Sequence, residues 1–177
     1  MPVDVIVAKN RATICMGRDR DAFDAVHGKR FDLVLFCAKE FGPPPQALNE
    51  AKVARARRAL AYHCPLSDAV LTRDEAFLAS RASALVANAF LKGKEVLVTC
   101  MEGRNRSALV VALALHHLSG EGGGAAIRAV RQRRLFASGP VLSNPTFVSY
   151  LESIPPKQER EGVISLGTSE ARRLILP

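Results

Sequence analysis

The sequence lacks several features that would place the protein in a special class. No apolar run approaches the roughly 20 residues that cross a bilayer, and no internal repeat of roughly 20–50 residues is visible. The N-terminus, MPVDVIVAKNR, has an aspartate inside its apolar stretch and no basic segment before it, so we expect a strand there and no secretory signal. The 177 residues are 48% hydrophobic and 24% charged, which is typical of a soluble globular protein with one principal domain.

Cysteine is scarce and has no metal-binding spacing. The chain has four cysteines and no Cys-x-x-Cys pair, so we expect neither a zinc site nor another metal. Cys15, Cys37 and Cys64 lie in or beside apolar runs and are expected to be reduced core thiols. Missing targeting signals and reduced cysteines together predict a cytoplasmic protein.

Acidic residues are outnumbered, with 17 against 25 basic residues and a net charge of +8. Such a charge attracts phosphoproteins, anionic lipids or RNA. Two groups of arginines on helix-like segments are expected to be solvated helix faces; they are Arg55, Arg57 and Arg58, and Arg128, Arg131, Arg133 and Arg134.

Short apolar runs alternate with longer segments of helical periodicity. The predicted strands are Val3–Ala8, a stretch around Thr13–Met16, Asp32–Cys37, Ala59–Cys64 and Glu95–Thr99. The predicted helices are Asp19–His27, Pro45–Arg57, Asp74–Lys92, Ser107–Leu118, Ala125–Arg134 and Pro145–Ser153, with Ser107–Leu118 buried at the centre. This alternation predicts an α/β fold whose central, mostly parallel sheet is flanked by helices. We expect a catalytic domain over residues 1–154 and a tail over 155–177 that is either docked, bound to a partner or disordered.

The segment Cys100-Met-Glu-Gly-Arg-Asn-Arg-Ser107 follows a predicted strand and opens a predicted helix. A Cys followed six residues later by an Arg is expected about 0.4 times by chance in this composition. Requiring Gly103 and Ser107 as well lowers that figure to roughly 0.003. The combination of these four residues therefore indicates a functional site and not a chance spacing.

These residue types suit the binding of a tetrahedral oxyanion. A loop that runs into a helix N-terminus directs several backbone N–H groups into one concavity, and Gly103 permits the required turn. Arg106 can hold two phosphate oxygens, and the positive field favours the thiolate of Cys100. Ser107 can donate a hydrogen bond to that sulfur. The pattern predicts a phosphate cradle with a nucleophile at its base.

The segment resembles the Cys-x5-Arg-Ser/Thr signature of the protein tyrosine phosphatase superfamily, and it is most similar to the compact dual-specificity branch. The resemblance extends over residues 10–153. It implies a phosphate-binding loop made of Met101, Glu102, Gly103, Arg104, Asn105 and Arg106. It also implies an aspartate general acid about thirty residues before the cysteine, and Asp68 lies 32 residues before Cys100. The implied enzyme hydrolyses phosphotyrosine and phosphoserine or phosphothreonine in proteins through a cysteinyl-phosphate, without a metal or cofactor.

Some positions have more than one interpretation. Most members of the superfamily have His before the cysteine, where this chain has Thr99, and the resemblance implies that Thr99 makes a weaker hydrogen bond to the loop than that His. Asp74 is a second candidate for the acid. Glu102 and Arg104 either face the substrate or point to solvent. His63, His116 and His117 are expected to be structural.

Four alternatives remain open. Gly103-Arg-Asn-Arg106 also resembles the RNA 5′-triphosphatases of the superfamily, although these generally lack the aspartate acid. Phosphoinositide phosphatases favour basic loop residues, which Arg104 satisfies and Glu102 does not. The chain could also bind phosphate with little turnover. A rhodanese-like sulfur transferase is a further alternative, which Ser107 and the downstream helices disfavour.

Overall fold

The computed structural model describes residues 4–18, 31–41, 59–135, 137 and 139–157. Its sheet contains the strands β1 (Asp4–Lys9), β2 (Ala12–Arg18), β3 (Leu33–Ala38), β4 (Leu60–Leu66) and β5 (Glu95–Cys100). The strand order is β1-β2-β5-β3-β4. Only the β1–β2 pair is antiparallel among these strands, and the other three pairs are parallel.

The helices of the described residues are α1 (Arg73–Leu91), α2 (Arg106–Ser119), α3 (Gly123–Arg133) and α4 (Pro145–Glu152). A short 3-10 turn, Lys39–Phe41, follows β3. The predicted mixed α/β fold with a mostly parallel sheet is confirmed. The predicted helices Asp19–His27 and Pro45–Arg57 lie outside the described residues, as do residues 158–177 of the expected tail.

Both faces of the sheet are buried, as the uninterrupted apolar runs predict. Every residue of β3 is buried. Leu33, Leu35 and Cys37 pack in the main core with the four helices, whereas Val34 and Phe36 belong to a second cluster. Since successive side chains of a strand point to opposite faces, the two clusters lie on opposite sides of the sheet.

Helix α2 runs through the main core, as expected from its apolar composition. Twelve of its 14 residues are buried, because α1, α3, α4 and the sheet all contact it. The chain after α4 returns to the end of this helix, where the Lys157 N–H donates to the Gly120 carbonyl at 2.8 Å. Within the described ranges, no helix combines the length and apolar character needed to cross a bilayer.

The strand register brings three loops together. Phe36 of β3 aligns with Thr99 of β5 and with His63 of β4. Since these strands are parallel, the segments that follow them emerge at the same edge of the sheet, where α/β proteins commonly bind ligands. The residues after Ala38, Leu66 and Cys100 therefore meet at one site.

Candidate active site

Cys100 is the last residue of β5, and its thiol lies beneath the start of α2. The side chain is 1% exposed, and its Sγ lies 3.2 Å from the Oγ of Ser107, in the first turn of the helix. A strand that runs directly into a helix N-terminus creates this arrangement. The partial positive charge of the helix N-terminus is the kind of environment that favours a thiolate.

The loop between Cys100 and α2 has two of its carbonyls held by groups outside it. Arg134 Nε donates to the Gly103 carbonyl at 3.0 Å, and the Leu142 N–H donates to the Arg104 carbonyl at 2.9 Å. In a trans peptide the carbonyl and the following N–H point in opposite directions. The N–H groups of Arg104 and Asn105 are therefore directed away from Arg134 and from the Leu142 N–H.

Gly103 is required by both conformation and space. Its φ is +61°, which is unfavourable for residues with a Cβ. A Cβ at this position would lie 2.7 Å from the Gly17 carbonyl and from the Arg134 guanidinium. The loop can pack against β2 only with glycine here.

Arg106 is 4% exposed and has one end of its guanidinium occupied. Its Nη1 donates to the Glu40 carboxylate and, at 3.4 Å, to the Leu66 carbonyl. Its Nε is buried without a hydrogen-bond partner among the described residues. A buried donor without a partner is costly, so the Nε edge is suited to an oxyanion.

The start of α2 is also open to an anion. Asn105 stands at the N-cap, and its side chain makes no capping hydrogen bond to the first-turn amides. Asparagine is normally a good N-cap, but the Asn105 side-chain oxygen instead accepts from the Ser143 N–H at 2.8 Å. The helix amides keep their capacity to bind an oxyanion.

Asp68 lies beside this loop with its carboxylate exposed. Its Oδ2 accepts from Asn105 Nδ2 and its Oδ1 from Asn144 Nδ2, both at 3.2 Å. The segment that follows β4 thus brings Asp68 to the signature loop. Asp74, the second candidate for the acid, lies in the first turn of α1.

No protein-family model and no curated protein matches the sequence, but solved structures match the fold. Tk-PTP in its active form aligns with a TM-score of 0.60 at 24% identity, over 85% of this chain and 95% of that chain. Human DUSP28 aligns with a TM-score of 0.63 at 21% identity, over 86% and 91%. PTPMT1 in complex with PI(5)P aligns with a TM-score of 0.63 at 17% identity, over 85% and 92%. The chain has the compact dual-specificity phosphatase fold.

In this phosphatase fold, the remaining loop positions differ in their surroundings. Met101 and Glu102 are exposed. A Cβ at Gly139 would collide with the Arg104 guanidinium, so this side chain packs along the loop before α4. Arg104 is half-buried, so it does not point freely into solvent. Thr99 is fully buried and donates from its hydroxyl to the Cys100 carbonyl at 3.5 Å, a long hydrogen bond.

The other cysteines are buried free thiols, as expected. Burial, followed by the nearby charges of Cys64 and Cys100, raises the pKa of Cys37 well above its ordinary value, and Arg106 offsets part of this effect. Burial and the charge of Glu75 raise the pKa of Cys64 to about 12. Both thiols are therefore poor nucleophiles near neutral pH. The described residues contain no cluster of three His, Cys, Asp or Glu side chains that could hold a metal ion.

Two histidine side chains, those of His63 and His116, contact backbone carbonyls. His63 Nε2 lies 2.9 Å from the Ala38 carbonyl, and His116 Nδ1 lies 2.6 Å from the Glu121 carbonyl. Burial, together with Lys157 and His116, lowers the pKa of His117. The contacts of His63 and His116 agree with the structural roles expected for these two side chains.

The prediction of a solvated arginine face at the end of α3 is confirmed for Arg128 and Arg131, which are exposed, but it was wrong for Arg134. Arg134 is buried and forms an ion pair with Asp4 in addition to its bond with the loop. Arg131 donates to the carbonyls of Val141 and Leu142, at 3.0 and 2.8 Å. The periodicity of α3 does not show that β1 and the loop before α4 pack over this end of the helix. Arg55, Arg57 and Arg58 lie outside the described residues.

Glu40, Asn144 and Arg134 are the site residues that the sequence interpretation missed. Glu40 follows the parallel neighbour of β5, which is the only sequence signal that could have suggested it.

Proposed function

We propose that the protein is a metal-independent, cysteine-dependent phosphatase that hydrolyses phosphomonoesters. The observation that carries this proposal is the position of a buried thiol at the start of a helix whose first residue is a buried arginine. The Cys100 sulfur lies against Ser107 at the start of α2, and the buried Arg106 Nε has no partner among the described residues. The dual-specificity phosphatase fold supports the same chemistry.

The reaction follows from the placement of these groups. The Cys100 thiolate attacks phosphorus in line, so that an S–P bond forms while the ester P–O bond breaks. Arg106 and the loop amides stabilise the charge on the equatorial oxygens. Asp68 donates a proton to the leaving oxygen.

In the second step, water attacks the cysteinyl-phosphate and Asp68 accepts a proton from it. The S–P bond breaks, inorganic phosphate is released, and Ser107 donates a hydrogen bond to the departing sulfur. The enzyme returns to its starting state. A thiolate nucleophile persists best in a reducing compartment, which is consistent with a cytoplasmic location.

Phosphorylated proteins are the proposed substrates, with phosphotyrosine and phosphoserine or phosphothreonine as the side chains. The net charge of +8 favours anionic partners in general. A phosphoinositide headgroup is the second candidate, because PTPMT1, a structural neighbour, is known in complex with PI(5)P. An RNA 5′-triphosphate is disfavoured by the position of Asp68 beside the loop.

Replacement of the nucleophile tests the proposal. Cys100→Ser should abolish hydrolysis of p-nitrophenyl phosphate but retain binding of inorganic phosphate, measured by calorimetry. Cys15→Ser is the matched control, since Cys15 lies in the second cluster and should leave the rate near that of the parent. The parent should be inhibited by vanadate and not by a chelator.

Turnover by Cys100→Ser at the parental rate would contradict the mechanism. Phosphate binding without turnover by the parent would indicate a phosphate-recognition protein. Phosphopeptides, phosphoinositides and 5′-triphosphorylated RNA assayed side by side identify the substrate class, and a preference for either of the last two would contradict the protein-substrate assignment.

A further inference from the structure

Both carboxylate oxygens of Asp68 are held by side-chain amides that come from different parts of the chain. Asn105 belongs to the signature loop, whereas Asn144 stands at the N-cap of α4. Each donates through Nδ2 to a different oxygen of Asp68, at 3.2 Å. Asn144 Nδ2 also donates to the Ala69 carbonyl at 2.8 Å, which fixes the backbone next to Asp68.

The orientation of each amide is set by its oxygen. Asn105 Oδ1 accepts from the backbone N–H groups of Ser143 and Asn144, at 2.8 and 3.3 Å. Asn144 Oδ1 caps α4 by accepting from the Thr146 N–H at 3.0 Å. Because an amide oxygen only accepts and the amide nitrogen only donates, these bonds leave both NH2 groups directed at Asp68.

We propose that Asn105 and Asn144 are positioning residues for catalysis, a two-amide clamp that fixes the Asp68 carboxyl beside the phosphate cradle. This inference rests on the proposed function. Asn105 links the two halves of the site, since its backbone forms the N-cap of α2 in the signature loop while its side chain donates to the acid.

The clamp is compatible with both protonation states that catalysis needs. A carboxylate oxygen offers about two acceptor positions, and the clamp uses one on each oxygen. Either of the two remaining positions can hold the proton that is donated to the leaving oxygen, or the proton taken from water. Asp68 can therefore act in both steps without leaving the clamp. Small displacements of a reacting group can cost about 100-fold in rate, which makes the positioning consequential.

The test removes the hydrogen bond that Asn144, at the N-cap of α4, donates to Asp68. Asn144→Ser keeps an N-cap for the helix but removes the donor to Asp68, and Asn144→Asp replaces that donor with a like charge. Ser153→Ala is the control, because Ser153 Oγ donates to the Tyr150 carbonyl at 2.7 Å, at the other end of the same helix and away from Asn144 and Asp68. All variants are compared with Asp68→Asn in the full-length protein.

The readout is the ratio of kcat/KM for p-nitrophenyl phosphate to that for phenyl phosphate, since only the second has a leaving group that depends strongly on the acid. Asp68→Asn should raise this ratio most. Asn144→Ser and Asn144→Asp should raise it about 10–100-fold, whereas Ser153→Ala should leave it unchanged.

A parental ratio in both Asn144 variants, alongside a raised ratio in Asp68→Asn, would overturn the clamp and leave the proposed function standing. A parental ratio in Asp68→Asn would overturn the clamp and the acid assignment together, while the role of Cys100 is tested separately by Cys100→Ser. A parent inactive on both esters would overturn the proposed function and the clamp with it.

Discussion

Gly103 shows how one residue can be determined by two independent constraints. Its positive φ would be strained for any residue with a Cβ, and the backbone of Gly17 leaves no room for one. Gly93 provides a contrast within the same chain. Its φ is also positive, at +76°, but a Cβ there would meet nothing within 4 Å.

Comparing Gly93 with Gly103 separates the free-energy cost of a positive φ from the cost of close packing. Gly93→Ala should lower the free energy of unfolding by about 1–2 kcal/mol, from the positive φ alone. Gly103→Ala should cost a further ~1–3 kcal/mol from overpacking. It should also lower kcat/KM for an aryl phosphate about 100-fold, because the loop amides move. Urea unfolding and steady-state kinetics check both, and equal effects of the two substitutions on stability and rate would contradict the assigned role of Gly17.

At the scale of elements, the start of α1 helps to place the segment that carries Asp68. Thr72 and Glu75 form a capping box at the helix N-terminus. The other carboxylate oxygen of Glu75 accepts from the N–H and hydroxyl of Ser67, at 2.8 and 2.7 Å. One glutamate thus fixes both the helix start and the residue next to Asp68.

This arrangement makes part of the stability depend on pH. Burial by itself would raise the pKa of Glu75, but the hydrogen bonds from Ser67 and Thr72 outweigh it and lower the pKa. A carboxyl whose pKa is lower in the folded state stabilises the fold above its unfolded pKa of about 4.3. That contribution is lost as the pH falls through the folded-state pKa.

Glu75→Gln should therefore lower the free energy of unfolding by about 1 kcal/mol at pH 7. The difference from the parent should shrink as the parent is taken to about pH 3, because its Glu75 becomes protonated. Urea titrations at several pH values measure this, with Asp74→Asn as the exposed neighbour for control. A difference that persists unchanged in acid would mean that the charge of Glu75 contributes nothing.

For the whole molecule, the ion pair between Asp4 and Arg134 joins the first strand to the end of α3 beneath the signature loop. Both side chains are almost completely buried, and Arg134 also holds the Gly103 carbonyl. Removing one partner of a buried pair leaves a buried charge without compensation. The integrity of the site is thereby coupled to contacts between distant parts of the chain.

Arg134→Met should lower the free energy of unfolding by about 3–5 kcal/mol. Adding Asp4→Asn should restore part of this loss, since the unpaired carboxylate is removed. Arg128→Met, on an exposed position of the same helix, should change stability by less than about 0.5 kcal/mol. Urea unfolding of the four proteins measures the coupling, and strictly additive effects at positions 4 and 134 would argue against it.

Residue patterns within short segments predict most of the strands and helices, and they also predict the loop at the centre of the site. Apolar runs predict the buried strands because a strand enclosed on both faces must be apolar throughout. The spacing of Cys100, Gly103, Arg106 and Ser107 predicts their proximity because a single turn and a helix start connect them. Asp68 was placed through family resemblance, and the structure puts it beside Asn105.

The sequence by itself determined the strands, the central helix and the loop that opens it, since each depends on residues close together in the chain. Only the tertiary structure decided which distant groups complete the site. Glu40 accepts from Arg106, Asn144 donates to Asp68, and Arg134 donates to the Gly103 carbonyl. These contacts depend on strand order, parallel register and the packing of α3 and α4. Such pairings are set by the total free energy of the folded chain, which no short segment encodes.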